Sequence, residues 1–402
     1  MRVLLVAPTC DGTDIGEAWV AHQWAARLSE RHDLTVLTYH KRGRGAIAPQ
    51  LPRARVVEWV EPWGLGRAER LNSLLKPGYV PFYVRARRWI REALARGEHF
   101  DVVHQPVPVA MRYPSPALGL GIPLVMGPVG GGLGSPAGFD DEDTAPWYVR
   151  LRALDAARMR SDPLLRRTYE GAACVLGIAP YVADTLAGLS IQRFEVMGET
   201  GLTTIPPLTD RPARPGPVRL LFVGRLIRTK GARDAITAMG HLRDLDVTLD
   251  LVGDGFDRPA CEALTDRLGL RDRIRFHGAV PHAQALAAYQ DADIFFFPSY
   301  REPGGNVVFE AMGASIPLVV ADRGGPGFVV DDRCGIRVTP EYPEQYAVAL
   351  GVAVRRLAMD VDLRRDLGRA AHARLAEVGL WSTKLDAIDR LYAEVIAPPS
   401  PS

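Results

Sequence analysis

Two carboxylates stand eight positions apart in Glu302-Pro-Gly-Gly-Asn-Val-Val-Phe-Glu310, on either side of a glycine pair. Just upstream, residues 294–297 (Ile-Phe-Phe-Phe) form an apolar run of strand formers stopped by Pro298-Ser299, so a buried strand delivers the chain to a loop. Gly304 and Gly305 let that loop turn tightly and approach a ligand. The helical spacing of Val307, Val308, Ala311 and Met312 predicts a helix opening near Asn306. The first amides of a helix lack intrahelical partners and sit at the positive end of its dipole, which suits the Val307 and Val308 N–H groups to a diphosphate. Glu310, about one turn inside, can accept both hydroxyls of a ribose, and Glu302 faces the other end of the same ligand. The bland alternative is a solvated loop acid followed by a surface helix.

A second constellation supplies the opposite charge. Residues 220–223 (Leu-Leu-Phe-Val) lead into Gly224-Arg225 and, five residues on, Lys230-Gly231, which reads as strand, tight turn, then helix over 232–239. Arg225 and Lys230 therefore leave the C-terminal edge of a parallel strand, where open α/β sheets bind ligands. Charge builds on a nucleoside diphosphate as it departs, and two fixed cations there stabilise it more in the transition state than before it. Taken alone, such a pair is ordinary solvated surface charge.

Both constellations need sheets to hold them. Short apolar segments at 3–7, 34–38, 56–60, 102–105, 124–126 and 174–178 alternate with helical stretches and predict one doubly wound sheet up to about residue 200. Segments at 220–223, 248–252, 274–277, 294–297 and 318–321 predict another. Between them the prolines at 206, 207, 212, 215 and 217 mark an extended crossing. The expected organisation is an N-terminal domain over 1–204, a linker over 205–217 and a C-terminal domain over 218–379. A terminal helix over 380–397 carries Leu385, Ile388, Leu391, Tyr392 and Val395 on one face, and 398–402 is a frayed tail. Residues 127–132 (Gly-Pro-Val-Gly-Gly-Gly) follow a strand, and their exposed amides suit an acceptor or phosphates. Their spacing does not match a dinucleotide fingerprint, which discounts a nicotinamide enzyme.

The Gly-Arg…Lys-Gly segment, Leu251-Val-Gly-Asp-Gly255, Phe276-His-Gly-Ala-Val280, Ala292-Asp-Ile-Phe-Phe-Phe-Pro-Ser299 and the Glu-x7-Glu element occur in order. With Asp14-Ile-Gly16-Glu17, Asp101-Val-Val-His104, Arg112-Tyr-Pro-Ser115 and the 127–132 loop, nearly the whole chain resembles glycosyltransferase family 4, in the branch with a Gly-Pro-Val-Gly-Gly-Gly loop. That resemblance implies an α/β GT-B fold, with two Rossmann-like, doubly wound domains facing across a cleft and the terminal helix returning to the first. It implies transfer of a hexose-type sugar from a nucleotide-sugar donor to a hydroxyl acceptor, with retention at the anomeric carbon and without a metal or other cofactor. Carried over by position, Arg225 and Lys230 hold the diphosphate, Glu310 the ribose and Glu302 the donor sugar's hydroxyls. Gly304, Gly305 and Asn306 lie against that sugar, Val280 sits by the nucleobase, and Gly16 brings a turn of the first domain to the phosphates. His104 resembles the histidine near the reacting sugar, although many relatives have His-x-His where this chain has His104-Gln-Pro106. The alternatives are a catalytically silent sugar-nucleotide-binding subunit of an assembly complex, or a GT-B phosphorylase or epimerase.

Composition narrows the rest. The 402 residues suffice for two cores, and a formal charge of +2 argues against nucleic acid as a partner. Cys10, Cys174, Cys261 and Cys334 are scattered singly, without metal or disulfide spacing, and no apolar run approaches a membrane span, so the expected location is cytoplasmic. In the predicted helix over 81–96, Phe82, Ala86, Trp89, Ile90, Ala93 and Leu94 form a stripe opposed by Arg85, Arg87, Arg88 and Arg91. Such a helix either packs its stripe on the first sheet or lies on an anionic membrane at its inner face.

Overall fold

A computed structural model describes residues 1–14, 16–62, 78–142, 158–159, 161–212 and 214–397. The predicted frayed tail at 398–402 lies outside the described residues. By its internal contacts the chain divides into two compact units. One comprises Met1–Gly132, Arg150–Thr200 and Lys384–Ser402, the other Leu133–Val149 and Gly201–Thr383.

The first unit is built on a seven-stranded sheet: β1 (Arg2–Thr9), β2 (Asp33–His40), β3 (Arg55–Val60), β4 (Val102–Gln105), β5 (Leu124–Val129), β6 (Cys174–Gly177) and β7 (Phe194–Val196). Its order is β3-β2-β1-β4-β5-β6-β7 and every pairing is parallel. Strands of a parallel sheet are covered on both faces, which is why Val3 to Ala7 of β1 can be apolar without interruption and wholly buried. Among the described residues the helices are α1 (Glu17–Leu28), α2 (Tyr79–Ala95), α3 (Pro163–Glu170) and α4 (Tyr181–Thr185). Asp162 caps α3 by accepting from the amides of Leu164 and Leu165, while Pro163 fills the first helical position, where no N–H is needed. The stripe of α2 is core: Phe82, Ala86, Ile90 and Ala93 are fully buried with Leu4, Leu37 and Val103. The residues left outside include Val80, Val84, Arg85, Arg88 and Arg91.

The second unit holds a six-stranded parallel sheet: β8 (Val218–Val223), β9 (Val247–Val252), β10 (Ile274–Gly278), β11 (Ile294–Phe297), β12 (Leu318–Ala321) and β13 (Gly335–Val338), in the order β10-β9-β8-β11-β12-β13. Its helices are α5 (Ala232–Gly240), α6 (Arg258–Arg267), α7 (His282–Asp291), α8 (Asn306–Gly313), α9 (Gly324–Val329), α10 (Pro343–Met359) and α11 (Val361–Val378), followed by α12 (Trp381–Ile396). From Lys384 onward α12 packs in the first unit, where Leu385, Ile388, Leu391 and Tyr392 are buried. Among the described residues no helix is long and apolar enough to cross a membrane.

Two segments go elsewhere than the sequence predicts. The proline-dense stretch is fastened along the second unit: the Arg211 guanidinium donates to the carbonyls of Tyr289, Gln290, Ala292 and Ala314, and His372 meets the carbonyl of Pro206 at 2.7 Å. A guanidinium with five N–H donors can gather carbonyls from several elements, so this arginine makes the stretch part of the second body. Residues 133–142 also pack with the second unit, although a boundary at 204 assigns them to the first. Phe139 is fully buried, 4.4 Å from the Tyr300 ring, and the Arg228 guanidinium sits over both rings.

Candidate donor site

In the second sheet, strand order runs outward from β8 through β9 to β10 and, in the opposite direction, from β11 through β12 to β13. The loops after β8 and β11 therefore rise side by side at the point where the order reverses, the usual ligand crevice of an open α/β sheet. The β8 loop carries Arg225 and Lys230, and the β11 loop carries Glu302 to Gly305 into α8, on which Glu310 lies. Gly231 ties the two together. Its φ of 80° is left-handed, and a Cβ there would fall 2.1 Å from the carbonyl oxygen of Pro298, so only glycine fits. The Ser299 hydroxyl adds a bond to the Thr229 carbonyl at 3.3 Å.

Lys230 and Glu302 make direct contact, Nζ to Oε2. Arg225 is exposed and forms no side-chain hydrogen bond or ion pair among the described residues. Arg228, between them in sequence, is turned inward and takes both oxygens of Asp234, at 2.5 and 3.0 Å, with both side chains 3% exposed. That buried, bidentate pair anchors the 3₁₀ turn Arg228–Lys230, so one cation of the loop holds it down while Arg225 stays exposed.

α8 opens at Asn306, as its apolar spacing predicts. Of the two amides proposed for a diphosphate, Val308 N–H is already used: it donates to the Gly305 carbonyl at 3.0 Å. That bond spans three residues rather than four, a tighter first turn that consumes the donor. The Val307 amide has no partner among the described residues. Glu310 lies on α8 with both oxygens engaged, Oε2 by the Tyr289 hydroxyl at 2.9 Å and Oε1 by His282 Nε2 at 3.0 Å. Burial, and then the Glu310 carboxylate, push the Tyr289 phenol well above its ordinary value, so this hydroxyl stays a donor. Val280 occupies the loop between β10 and α7, partly buried against the core.

A second glycine pair backs the first. The Gly325 amide donates to the Glu302 carbonyl at 2.9 Å, and a Cβ on Gly325 would lie 1.9 Å from the Gly304 carbonyl oxygen. Arg301 and Arg323 reach from the same region to the carbonyls of Leu133 and Gly134, each at 3.0 Å. Tyr289, His282, the Gly324-Gly325 backing and the 133–139 segment are not foreseen from the sequence. A lone tyrosine in the alanine-rich stretch 282–292 is the one signal that points to Tyr289.

Two of the expected site residues belong to the first unit. Gly16, with φ of 66°, precedes α1 at the end of the β1 loop, and a Cβ there would meet open space. His104 ends up wholly buried on β4. Its Nε2 lies 2.6 Å from the Gly127 carbonyl and its Nδ1 2.6 Å from the Tyr392 hydroxyl. A carbonyl can only accept, so Nε2 carries the proton and Nδ1 accepts from the phenol. Burial lowers the ring's pKa to about 4, against a partial rise from the Gly127 bond, which keeps it neutral. Both nitrogens are committed, and the ring joins β4, β5 and α12; residues 127–129, expected in a glycine loop, extend the β5 strand instead.

Both halves of the chain match known families. The family model described as glycosyl transferases group 1 matches residues 210–374, and that described as glycosyl transferase 4-like domain matches residues 16–197. The chain is 35% identical over 268 residues to the lipopolysaccharide core biosynthesis glycosyltransferase LpsD of Rhizobium meliloti, covering 63% of this chain and 76% of that protein. It is 33% identical over 189 residues to a glycogen synthase of Mycobacterium tuberculosis, covering 46% of this chain and 45% of the relative, so it spans about half the length of that protein. Among solved structures, sucrose-phosphate synthase from Thermosynechococcus elongatus superposes with a TM-score of 0.68 at 20% identity, covering 98% of each chain. That last likeness is one of fold.

Proposed function

Because the chain belongs to the glycosyl transferases group 1, glycosyltransferase family 4, we propose that it moves a hexose-type sugar from a nucleoside diphosphate to a hydroxyl acceptor. The observation that carries this is the meeting of Lys230 with Glu302 where the strand order reverses, with Arg225 open in the same β8 loop and the Val307 amide unspent at the start of α8. A cation, a free amide and a carboxylate in one crevice suit a diphosphate attached to a polyhydroxyl group.

In this proposal Arg225 and Lys230 hold the diphosphate, and charge building on it as the glycosidic bond breaks is what they stabilise. The bond from the anomeric carbon to the phosphate oxygen breaks, and the acceptor oxygen bonds that carbon on the same face, giving retention. The acceptor's proton passes to the departing phosphate. The two side-chain cations fill the charge-stabilising place that a divalent metal fills elsewhere, so no metal is required. Glu310 accepts the ribose hydroxyls in the orientation fixed by Tyr289, Glu302 accepts those of the donor sugar, and the backbone of Gly304, Gly305 and Asn306 lines it. Val280 borders the base. His104, with both nitrogens engaged, acts by setting the carbonyl of Gly127 rather than by carrying a proton. Peripheral attachment to an anionic membrane enters only as an electrostatic contact of Arg85, Arg88 and Arg91. It should appear as vesicle binding abolished by high salt.

The test is a thermal-shift screen with UDP-, GDP-, dTDP- and ADP-sugars, followed by nucleoside diphosphate release and proton NMR of the product anomer. One donor is expected to raise the melting temperature strongly by mass action. It should be hydrolysed slowly without an acceptor, without added metal and with the chelator EDTA present. Binding with neither hydrolysis nor transfer from any donor overturns the proposal in favour of a silent sugar-nucleotide-binding subunit.

A further inference from the structure

Lys230 and Glu302 are assigned to opposite ends of one donor, yet they also hold each other. Their side chains are only 13% and 14% exposed, so neither is free to exchange its partner for bulk water at will. Arg225, by contrast, is exposed and has no side-chain partner among the described residues. One cation of the clamp is therefore open to any phosphate, and the other is guarded by the acid that reads the sugar.

We propose that the Lys230–Glu302 pair makes the site discriminate an intact nucleotide sugar from the nucleoside diphosphate left after transfer. This rests on the donor assignment above. An intact donor offers a replacement for each member of the pair: phosphate oxygens for the ammonium and sugar hydroxyl protons for the carboxylate. A bare nucleoside diphosphate offers only the first. Claiming Lys230 then leaves Glu302 poorly solvated and without a donor. After the sugar has gone to the acceptor, Glu302 has lost its hydroxyl donors and recaptures Lys230, which loosens the diphosphate. Arg225 attracts both ligands and does not distinguish them. The pair is thus a device for releasing product, built from two residues that also bind substrate.

Calorimetric titration with UDP and UDP-glucose, GDP and GDP-mannose, dTDP and dTDP-glucose, and ADP and ADP-glucose tests this on the full chain. For the responsive pair, wild-type protein is expected to bind the intact donor at least about tenfold more tightly than its diphosphate. In Glu302→Gln, diphosphate affinity should rise about tenfold while donor affinity does not rise, so the preference collapses. In a Lys230→Ala background the same Glu302→Gln change should alter diphosphate affinity by less than about threefold. Glu302→Asp keeps the charge but shortens its reach, and should shift the preference the same way if the glutamine variant does not fold. An unchanged preference in folded Glu302→Gln overturns the inference. So does a full tenfold gain in the Lys230→Ala background, which would mean plain repulsion of phosphate rather than action through the pair. Failure of wild-type protein to bind any pair overturns the donor assignment itself, and shows before any substitution is made.

Discussion

The imidazole of His104 stays neutral in its burial between Gly127 and Tyr392, which couples folding to pH. The folded ring titrates at about 4 and the unfolded one near its ordinary value, so between these the unfolded state binds the extra proton. Its contribution is complete above the unfolded value and is lost as pH falls towards the folded one. From pH 6.5 to 5 the loss should be roughly 2 kcal/mol. Denaturant unfolding across that range should be steeper in pH for wild type than for His104→Gln, and equal slopes would remove this account. Burial also lowers His32, so the difference in slope, not the slope itself, reports the ring. Two site substitutions belong at the same scale. Lys230→Ala should cut turnover by about a hundred- to a thousandfold, as loss of one transition-state charge contact does, with a smaller effect on donor affinity. Tyr289→Phe leaves Glu310 without its buried donor and should weaken donor binding by about tenfold with turnover at saturation little changed. A loss confined to turnover would reassign the tyrosine.

At the scale of elements, the loop that reads the sugar is only as fixed as what lies behind it. Gly325→Ala would drive a methyl group into the Gly304 carbonyl, so the loop must shift by about an ångström or the helix behind it must yield. Donor affinity should fall by at least tenfold while the far-ultraviolet circular dichroism is kept; unchanged affinity would show that the loop is not braced there. Which elements were legible in the sequence follows from burial. The apolar runs of β8 and β11 announce themselves because both faces are covered. β7 goes unpredicted, being a half-buried edge strand of three residues with Glu195 at its centre, and β13 begins with Gly335 and includes Arg337. Neither has a run to read. The opening of α8 was visible in its spacing, whereas the use of Val308 N–H by Gly305 was not, because loop closure is decided by backbone geometry. The bonds from Tyr289 and His282 to Glu310 join separate helices, and no local pattern encodes them.

Across the whole molecule, contiguity in sequence and membership of a unit come apart. The chain passes between its two units after Gly132, Val149, Thr200 and Thr383, so neither unit is one stretch of sequence. Phe139 is the sharpest instance, since it follows the first unit's glycine loop yet fills a place in the core of the second, against Tyr300 and Tyr346. Phe139→Ala should destabilise the second unit by about 3–5 kcal/mol. Hydrogen exchange should find the loss in β8, β11 and α10 and leave β1 and β4 protected as in wild type.

Expression of residues 201–383 by themselves would therefore yield a body with an open socket: two tyrosine rings and an arginine facing solvent where a phenyl group should be plugged. A synthetic peptide covering 133–142, added in trans, is the missing stopper. Rescue of solubility by that peptide, and failure of rescue by one bearing alanine at 139, would turn a quirk of threading into a handle for assembling the protein from parts.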